Sequence, residues 1–320
     1  MIPIASGGLA AHDDPSADPF DRVRPRLFGI AYRMLGIRAD AEDVVQDAWL
    51  RWNRADRSTL ASAEAWLVTV TTRLAIDRLR AAKAEREAYV GWWLPEPLAG
   101  LGGRGGEEPA GEPIDARTPE AVAEWASDLS VAFLYVLERL APEERAAFLL
   151  RQVFDHDYPE IAAMLGKSEA ACRQMVHRAT ERVRQQRPRF EVSRDTHRRL
   201  LEKFVAATQS GQRDAIKALL ADDVELVGDG GGKVAAFKHA LHGHDRIANL
   251  YWAQFLRLGA RVSYRLTTIN GEAGVLRYID GQLEAVQAFA TDGRRITAIY
   301  SVRNPDKLTG FPGAGAPSAR

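Results

Sequence analysis

Apolar residues recur at three- and four-residue spacing over Phe20 to Leu35, Asp40 to Arg54 and Ala63 to Ala82, with the polar stretches "GIRA" and "ADRSTLAS" between them. That spacing predicts three amphipathic helices. A second helical stretch is expected over Ala121 to Leu140 and Pro142 to Val153. Pro142 suits a first-turn position, where its missing N–H costs nothing, and Glu143 and Glu144 behind it complement the helix dipole. In "YPEIAAMLGKSEAACRQMVHRATERVRQ", Ile161, Ala162 and Leu165 form a short apolar stripe, Gly166 can turn the chain at positive φ, and Ser168 can cap a second helix. Cys172, Val176, Ala179 and Val183 share one face of that helix. This is the pattern of a helix-turn-helix. From about Thr196 the period changes. After one or two helices come "VELVG", "KVAAFK", "RVSYRLTTI", "GVLRYI", "LEAVQAFAT" and "RITAIYSV", separated by Gly or Asn-Gly turns. An α+β domain on an antiparallel sheet is predicted.

Composition adds the boundaries. Leu94 to Glu120, crowded with Gly, Pro and Glu, reads as a flexible tether. The expected organisation is a tail (1–17), a helical unit (18–88), a linker (89–120), a helix-turn-helix unit (121–188), an α+β domain (195–305) and a second tail (306–320). The 43 basic and 43 acidic residues balance, but they segregate: Lys167 to Lys203 is basic, whereas "DAEDVVQD", Asp40 to Asp47, is acidic. Two partners of opposite charge are implied. No apolar run reaches the roughly 18 residues that span a bilayer, and no signal peptide is recognisable, so a cytoplasmic monomer without membrane attachment is the expectation. The single cysteine, Cys172, excludes an intramolecular disulfide and suits a buried small hydrophobe.

Four sites can be weighed on spacing. "GDGGGKV" has three residues where a phosphate loop needs four between Gly and Gly-Lys, and Val234 follows instead of Ser or Thr, so a glycine-rich hairpin turn is expected. His239, His242 and His244 crowd together with no cysteine near, so neither a metal nor any other cofactor is expected. On the second helix of the helix-turn-helix, Arg173, Gln174, His177, Arg178 and Glu181 fall off the apolar face. Trp49, Trp52 and Trp66 stand beside Arg51, Arg54, Arg73, Arg78 and Arg80. Aromatics interleaved with arginine suit single-stranded DNA, but a small three-helix domain needs large apolar side chains, which favours a core role for any one of these tryptophans.

The order of parts, an acidic helix, a loop, a Trp-containing basic helix, a linker and a helix-turn-helix, resembles the extracytoplasmic-function sigma factors of bacterial RNA polymerase over roughly Phe20 to Arg187. "AEDVVQDAWL" is similar to the helix of region 2 that docks on core polymerase, which would place Asp43, Gln46, Asp47 and Trp49 on the core-binding surface. "AWLVTVTTRLAIDRLR" resembles the helix that opens the -10 element, implying roles there for Trp66, Arg73, Asp77 and Arg80, with Ala55 to Ser62 as the base-capture loop. Arg73 stands where the family often has Asn, and the loop lacks the family's aromatic. The helix-turn-helix resembles region 4. On that resemblance Arg173, Gln174, His177 and Arg178 would read bases of the -35 element, and Arg182, Arg184 and Arg187 would meet phosphate.

The third unit resembles the SnoaL-like fold, which implies a curved sheet around a cone-shaped pocket with room for a small-molecule ligand. "DGGGK" (Asp229, Gly230, Gly231, Gly232, Lys233) and "NPDKL" (Asn304, Pro305, Asp306, Lys307, Leu308) resemble motifs of the sigma factors that carry this extension, implying a regulatory contact. The expected partners are core polymerase and promoter DNA, and the expected role is non-enzymatic. The competing reading is a fused cyclase-type enzyme, for which Asp245 and His244 are the available acid–base candidates.

Overall fold

A computed structural model describes residues 18–82, 86–99, 129–186 and 192–314. The first three helices form where the apolar spacing put them: α1 (Pro19–Leu35), α2 (Arg38–Arg54) and α3 (Ala63–Ala81). Their ends follow local chemistry. The Asp18 carboxylate accepts from the Phe20 amide at 2.8 Å, Gly36 closes α1 in the left-handed region at φ 69°, and Ser62 caps α3.

Among the described residues four helices follow: α4 (Val131–Leu137), α5 (Pro142–Gln152), α6 (Tyr158–Leu165) and α7 (Glu169–Gln186). The helix expected over 121–140 is shorter than its periodicity suggested. Ser130 caps it by accepting from the Phe133 amide, so no helix runs through that position, and 121–128 lies outside the described residues. All of α4's residues are buried. Phe133, Leu134 and Leu137 face one continuous core that also holds Leu27, Ile30 and Tyr32 of α1, Leu67 of α3, and Phe148, Ile161, Cys172 and Val176. The two helical units thus share a single core, where the sequence suggested two separate ones.

The third unit contains α8 (Arg194–Gln209), α9 (Arg213–Ala218), β1 (Leu220–Asp229), β2 (Leu241–His242), α10 (His244–Leu258), β3 (Val262–Ile269), β4 (Glu272–Ile279), β5 (Gln282–Thr291) and β6 (Ile296–Val302). The six strands form an open sheet in the order β2-β1-β6-β5-β4-β3. Asn270-Gly271 and Asp280-Gly281 make the two tight hairpin turns, all four residues at positive φ.

Four expectations need correcting. The sheet is mixed: β1 runs parallel to β6 while the other pairs are antiparallel, because the long excursion through α10 and the β3–β6 meander returns the chain beside β1 in the same direction. "KVAAFK" forms no strand. Gly231 and Gly232 at positive φ turn the chain away, and only Leu241 and His242 return to pair with β1. The first part of the linker, 89–99, continues from 86–88 as an ordered strap, because Tyr89, Trp92, Trp93, Leu94 and Leu98 supply apolar and hydrogen-bonding anchors within the Gly/Pro-rich composition; 100–128 lies outside the described residues. The C-terminal domain does not end at 305. Lys307, Leu308 and Phe311 are buried, and the Leu283 amide donates to the Gly313 carbonyl at 2.9 Å.

Candidate nucleic-acid and polymerase interfaces

The helix-turn-helix is shaped by its caps. Asp157 and Glu160 form a reciprocal capping box on α6, Gly166 ends α6 at φ 64°, and Ser168 Oγ accepts from the Ala171 amide at 3.2 Å to start α7. Cys172, Met175, Val176 and Ala179 are buried, so the opposite side of α7 must face outward. Arg173, Gln174, His177, Arg178, Arg182 and Arg184 are all exposed. Three of the arginines are held by local partners. Arg173 pairs with Glu169 at 2.9 Å and lies 5.0 Å from the Tyr158 ring centroid. Arg178 and Arg182 both reach Glu144, at 3.0 and 2.7 Å. The exposed Arg173–Glu169 pair contributes about 0–1 kcal/mol, so phosphate can displace it, whereas Glu144 is itself buried and holds Arg178 and Arg182 at the protein surface.

On α2, Asp43, Gln46, Asp47 and Trp49 are exposed in one acidic face around an accessible indole, with Leu50 beside it. Ala41, Val44, Val45 and Ala48 fill the other side. Among the described residues nothing covers that mixed acidic and aromatic face.

The helix expected to read the -10 element is placed differently. Trp66 is half-buried against Trp52, ring centroids 5.8 Å apart. Arg73 Nε donates to the Met164 carbonyl at 2.8 Å and its Nη2 to that of Ala163 at 3.2 Å, so a cation caps the C-terminal end of α6. Arg80 pairs with Asp77 at 3.3 Å and with Glu143 at 2.5 Å, and Lys167 reaches the same Glu143 at 3.0 Å. Glu143's carboxyl is held below the usual range, first by the hydrogen bond from Lys167. Arg73 and Arg80 are therefore occupied by the helix-turn-helix unit. The capture loop carries a 3-10 turn, Arg57–Thr59, capped by Asp56, and Arg57 lies over the Trp52 ring at 4.5 Å.

The two glycine- and proline-containing motifs meet around one buried carboxylate. Asp229 Oδ1 accepts from Tyr89 Oη at 2.6 Å and the Gly231 amide at 3.0 Å; Oδ2 accepts from the Leu94 amide at 2.9 Å and Lys307 Nζ at 2.8 Å. Lys307 also donates to the Leu94 carbonyl at 2.6 Å and lies over the Trp93 ring at 4.1 Å. Burial pushes its amine down and the Tyr89 phenol up. Asn304 donates to Tyr89 Oη at 2.9 Å and accepts from the Asp306 amide at 3.2 Å, while Lys233 pairs with Asp306 at 2.5 Å. Glycine is required at 231: its φ is 61°, and a Cβ there would sit 2.4 Å from the Asn304 carboxamide nitrogen. Gly230 would drive a Cβ into the Val234 carbonyl, Gly232 lies against Val90 of the strap, Pro305 opens a 3-10 turn, and Leu308 is buried. The structure brings the two motifs together and sets Asp229, Gly232, Asn304 and Lys307 against the strap that follows α3.

A second pin was missed by sequence reasoning. Asn270 is fully buried in the β3–β4 turn; its Oδ1 accepts from the Leu98 amide at 2.7 Å, and its Nδ2 donates to Tyr32 Oη at 2.9 Å and the Leu129 carbonyl at 2.8 Å. One carboxamide thus joins α1, the strap and the entry to α4. The only sequence signal was an Asn-Gly pair, which reads as a turn and nothing more. A buried ion network does the same job nearby: Glu138 accepts from Arg86 and from Arg145 at 2.6 Å, and these two arginines donate to the Leu35 and Met34 carbonyls at the end of α1.

The C-terminal domain holds a cavity of about 380 Å³ between α10 and the sheet. His244 and Asp245 do not line it. Asp245 is paired with Lys217 at 2.8 Å and Arg213 at 3.1 Å, and the Lys217 hydrogen bond holds its carboxyl below the usual range. Among the described residues no group of three or more His, Cys, Asp or Glu could hold a metal, and no helix is long and apolar enough to cross a membrane.

Residues 20–85 match the Sigma-70 region 2 family and residues 130–183 match the Sigma-70, region 4 family. The chain is 36% identical over 303 residues to the ECF RNA polymerase sigma factor SigJ of Mycobacterium tuberculosis, covering 92% of this chain and 93% of that protein. It is 28% identical over 303 residues to the probable ECF RNA polymerase sigma factor SigI of the same organism, covering 94% and 97%. The crystal structure of Mycobacterium tuberculosis SigJ superposes with a TM-score of 0.70 at 35% identity, covering 92% of this chain and 98% of that one.

Proposed function

The chain belongs to the extracytoplasmic-function sigma factors of RNA polymerase, and from that premise we infer that it directs promoter-specific initiation through α7 and α3 and that its C-terminal domain holds these two readers apart from DNA until the molecule opens. α2 presents the surface for core polymerase, with Asp43, Gln46, Asp47 and Trp49. Arg173, Gln174, His177 and Arg178 read the -35 element from the major groove, and Arg182 and Arg184 meet phosphate. Trp66, Arg73, Asp77 and Arg80 serve the -10 element.

The observation that carries the regulatory reading is Arg73 capping α6. The two promoter elements lie about 25 base pairs apart, roughly 85 Å along the duplex at 3.4 Å per base pair. Helices in hydrogen-bond contact cannot occupy both. The arrangement seen here must open before initiation, and the strap, gripped by Asp229, Lys307 and Asn304 on one side and Asn270 on the other, resists opening. A ligand contact cannot shift such an equilibrium unless it discriminates between the two forms.

The test is run-off transcription at saturating core polymerase with wild type, Asn304→Ala and Arg173→Ala. Asn304→Ala frees the strap and should raise the yield on a cognate promoter. Arg173→Ala should lower it only where the -35 element is intact. A yield from Asn304→Ala equal to wild type sinks the regulatory reading while leaving the initiation function standing; no promoter-specific transcript from any of the three sinks both.

A further inference from the structure

The cavity of the C-terminal domain has a chemistry of its own. Its wall is mainly apolar, with Leu226, Ala236, Phe237, Leu250 and Ala253. The charged groups reaching it are Arg257, Arg277 and Arg303, and no carboxylate is among its lining residues. One acid, Glu284, stands behind two of these arginines: it accepts from Arg277 Nε at 2.7 Å and from Arg303 Nε at 2.5 Å. Arg277 also donates to Gln254 Oε1 at 3.0 Å. Two guanidiniums are therefore fixed by one carboxylate, leaving the site net positive with Arg257 exposed at its edge. Within the wall, Gln287 donates to Tyr251 Oη at 3.0 Å and Ser301 Oγ at 3.3 Å, and its buried Oε1 has no hydrogen-bond partner.

We propose that this cavity is a binding site for an apolar organic anion, a monocarboxylate with a hydrocarbon or aromatic body, seated with its carboxylate toward Arg257, Arg277 and Arg303 and its body between α10 and the sheet. The volume of about 380 Å³ lies in the range of small-ligand sites. Guanidinium is the group best matched to carboxylate, and preordering by Glu284 lowers the cost of using it. A polyanion would leave most of its charge against Leu226, Phe237 and Leu250, and a neutral molecule would leave uncompensated the positive charge that Glu284 does not balance.

The position of the site gives it a consequence. Gly228 and Arg303 line the cavity and directly precede Asp229 and Asn304. The Arg303 amide donates to the Asp229 carbonyl at 2.7 Å, and the Arg303 guanidinium donates to the Ala235 carbonyl. One wall of the cavity is thus the outer side of the contact that grips the strap. An occupant that packs on Ala235 to Phe237 stabilises that contact, and by linkage the grip favours the occupant. This coupling rests on the regulatory reading above; the binding itself does not.

Isothermal titration of the full chain with decanoate, decanol and inorganic phosphate tests the site. Decanoate should bind with one-to-one stoichiometry, decanol roughly tenfold more weakly, and phosphate not at all. Ala253→Trp places an indole on the exposed, cavity-lining side of α10 and should abolish decanoate binding, with the melting temperature of the variant confirming that it folds. Arg257→Gln, at the exposed edge, should weaken binding about fivefold. No decanoate binding by wild type, equal binding of decanol, or binding undiminished in Ala253→Trp overturns the proposal. Binding that leaves run-off yield unchanged keeps the site and overturns the coupling.

Discussion

Replacing Asn270 by glycine isolates the hydrogen bonds of one carboxamide from the backbone that presents it. The native φ is 51°, a conformation glycine adopts without strain, so Asn270→Gly leaves the β3–β4 turn intact while deleting the bonds to the Leu98 amide, Tyr32 Oη and the Leu129 carbonyl. At about 1 kcal/mol net per bond the loss is about 3 kcal/mol, roughly a hundredfold in the equilibrium that frees the strap. Glycine also adds freedom to the unfolded chain, worth about 0.5–1 kcal/mol. Asp280→Gly provides the control: it makes the same change at φ 51° in the β4–β5 turn, where the side chain reaches only the exposed Arg261. Hydrogen exchange followed by mass spectrometry reads the strap directly, because the Leu98 amide is itself the donor to Asn270. Exchange in peptides covering 86–99 should accelerate by up to about a hundredfold in Asn270→Gly and stay near wild type in Asp280→Gly. Equal exchange in the two variants would show that Asn270 is only a turn residue.

Four other outcomes follow from the same geometry. Lys307→Met strands the buried Asp229 carboxylate and should cost about 3–5 kcal/mol by urea denaturation, of which Asp229→Leu in the same chain should return a part. Arg173→Ala should weaken binding to a -35 duplex by about 1–3 kcal/mol with no change in core-polymerase affinity, read by fluorescence anisotropy. Asp47→Arg should do the reverse, lowering the association rate with core polymerase in a salt-dependent way. His197, buried in α8 with its Nε2 unpartnered, is pushed by desolvation from 6.5 down to about 4. The unfolded chain therefore binds more protons between those values, and stability that is complete above pH 6.5 should fall by about 3 kcal/mol as the pH drops to 4. His197→Leu should flatten that slope, and a persisting slope would place the titration elsewhere.

Elements governed by local chemistry could be read from the chain. The caps at Ser62 and Ser168, the turn at Gly166, the buried face of Cys172, Val176 and Ala179, and the Asn270-Gly271 hairpin each depend on neighbours within a few residues. What escaped was the long-range pairing. Nothing in the spacing of Asp229 shows that its carboxylate will meet Tyr89 and Leu94, because that contact joins residues more than a hundred positions apart. The strap was hidden for a related reason: Gly and Pro dominate its surroundings, and the tryptophans that anchor it carry no period. The parallel pairing of β1 with β6 is likewise invisible to alternation, which fixes faces but not directions. Among the sites, the outward residues of α7 were legible from helical geometry alone, whereas the engagement of Arg73 with the end of α6 was not, since a surface arginine suits DNA and a helix C-terminus equally well.

α4 has a consequence for how the protein is made. Its residues serve two neighbours, with Phe133, Leu134 and Leu137 turned to the helical core and Val131, Ala132 and Tyr135 packed beside Val227, Leu276 and Tyr300 of the sheet. The ribosome delivers the helical half first. Synthesis of the roughly 130 residues between α7 and Gly313 takes on the order of 10 s at about 5–20 residues per second. During that interval α4 displays an apolar stripe with no sheet to cover it, and the strap has neither Asp229 nor Asn270 to hold it. The nascent protein is then at once most adhesive and least restrained, so chaperone capture and premature promoter engagement compete for the same short-lived species.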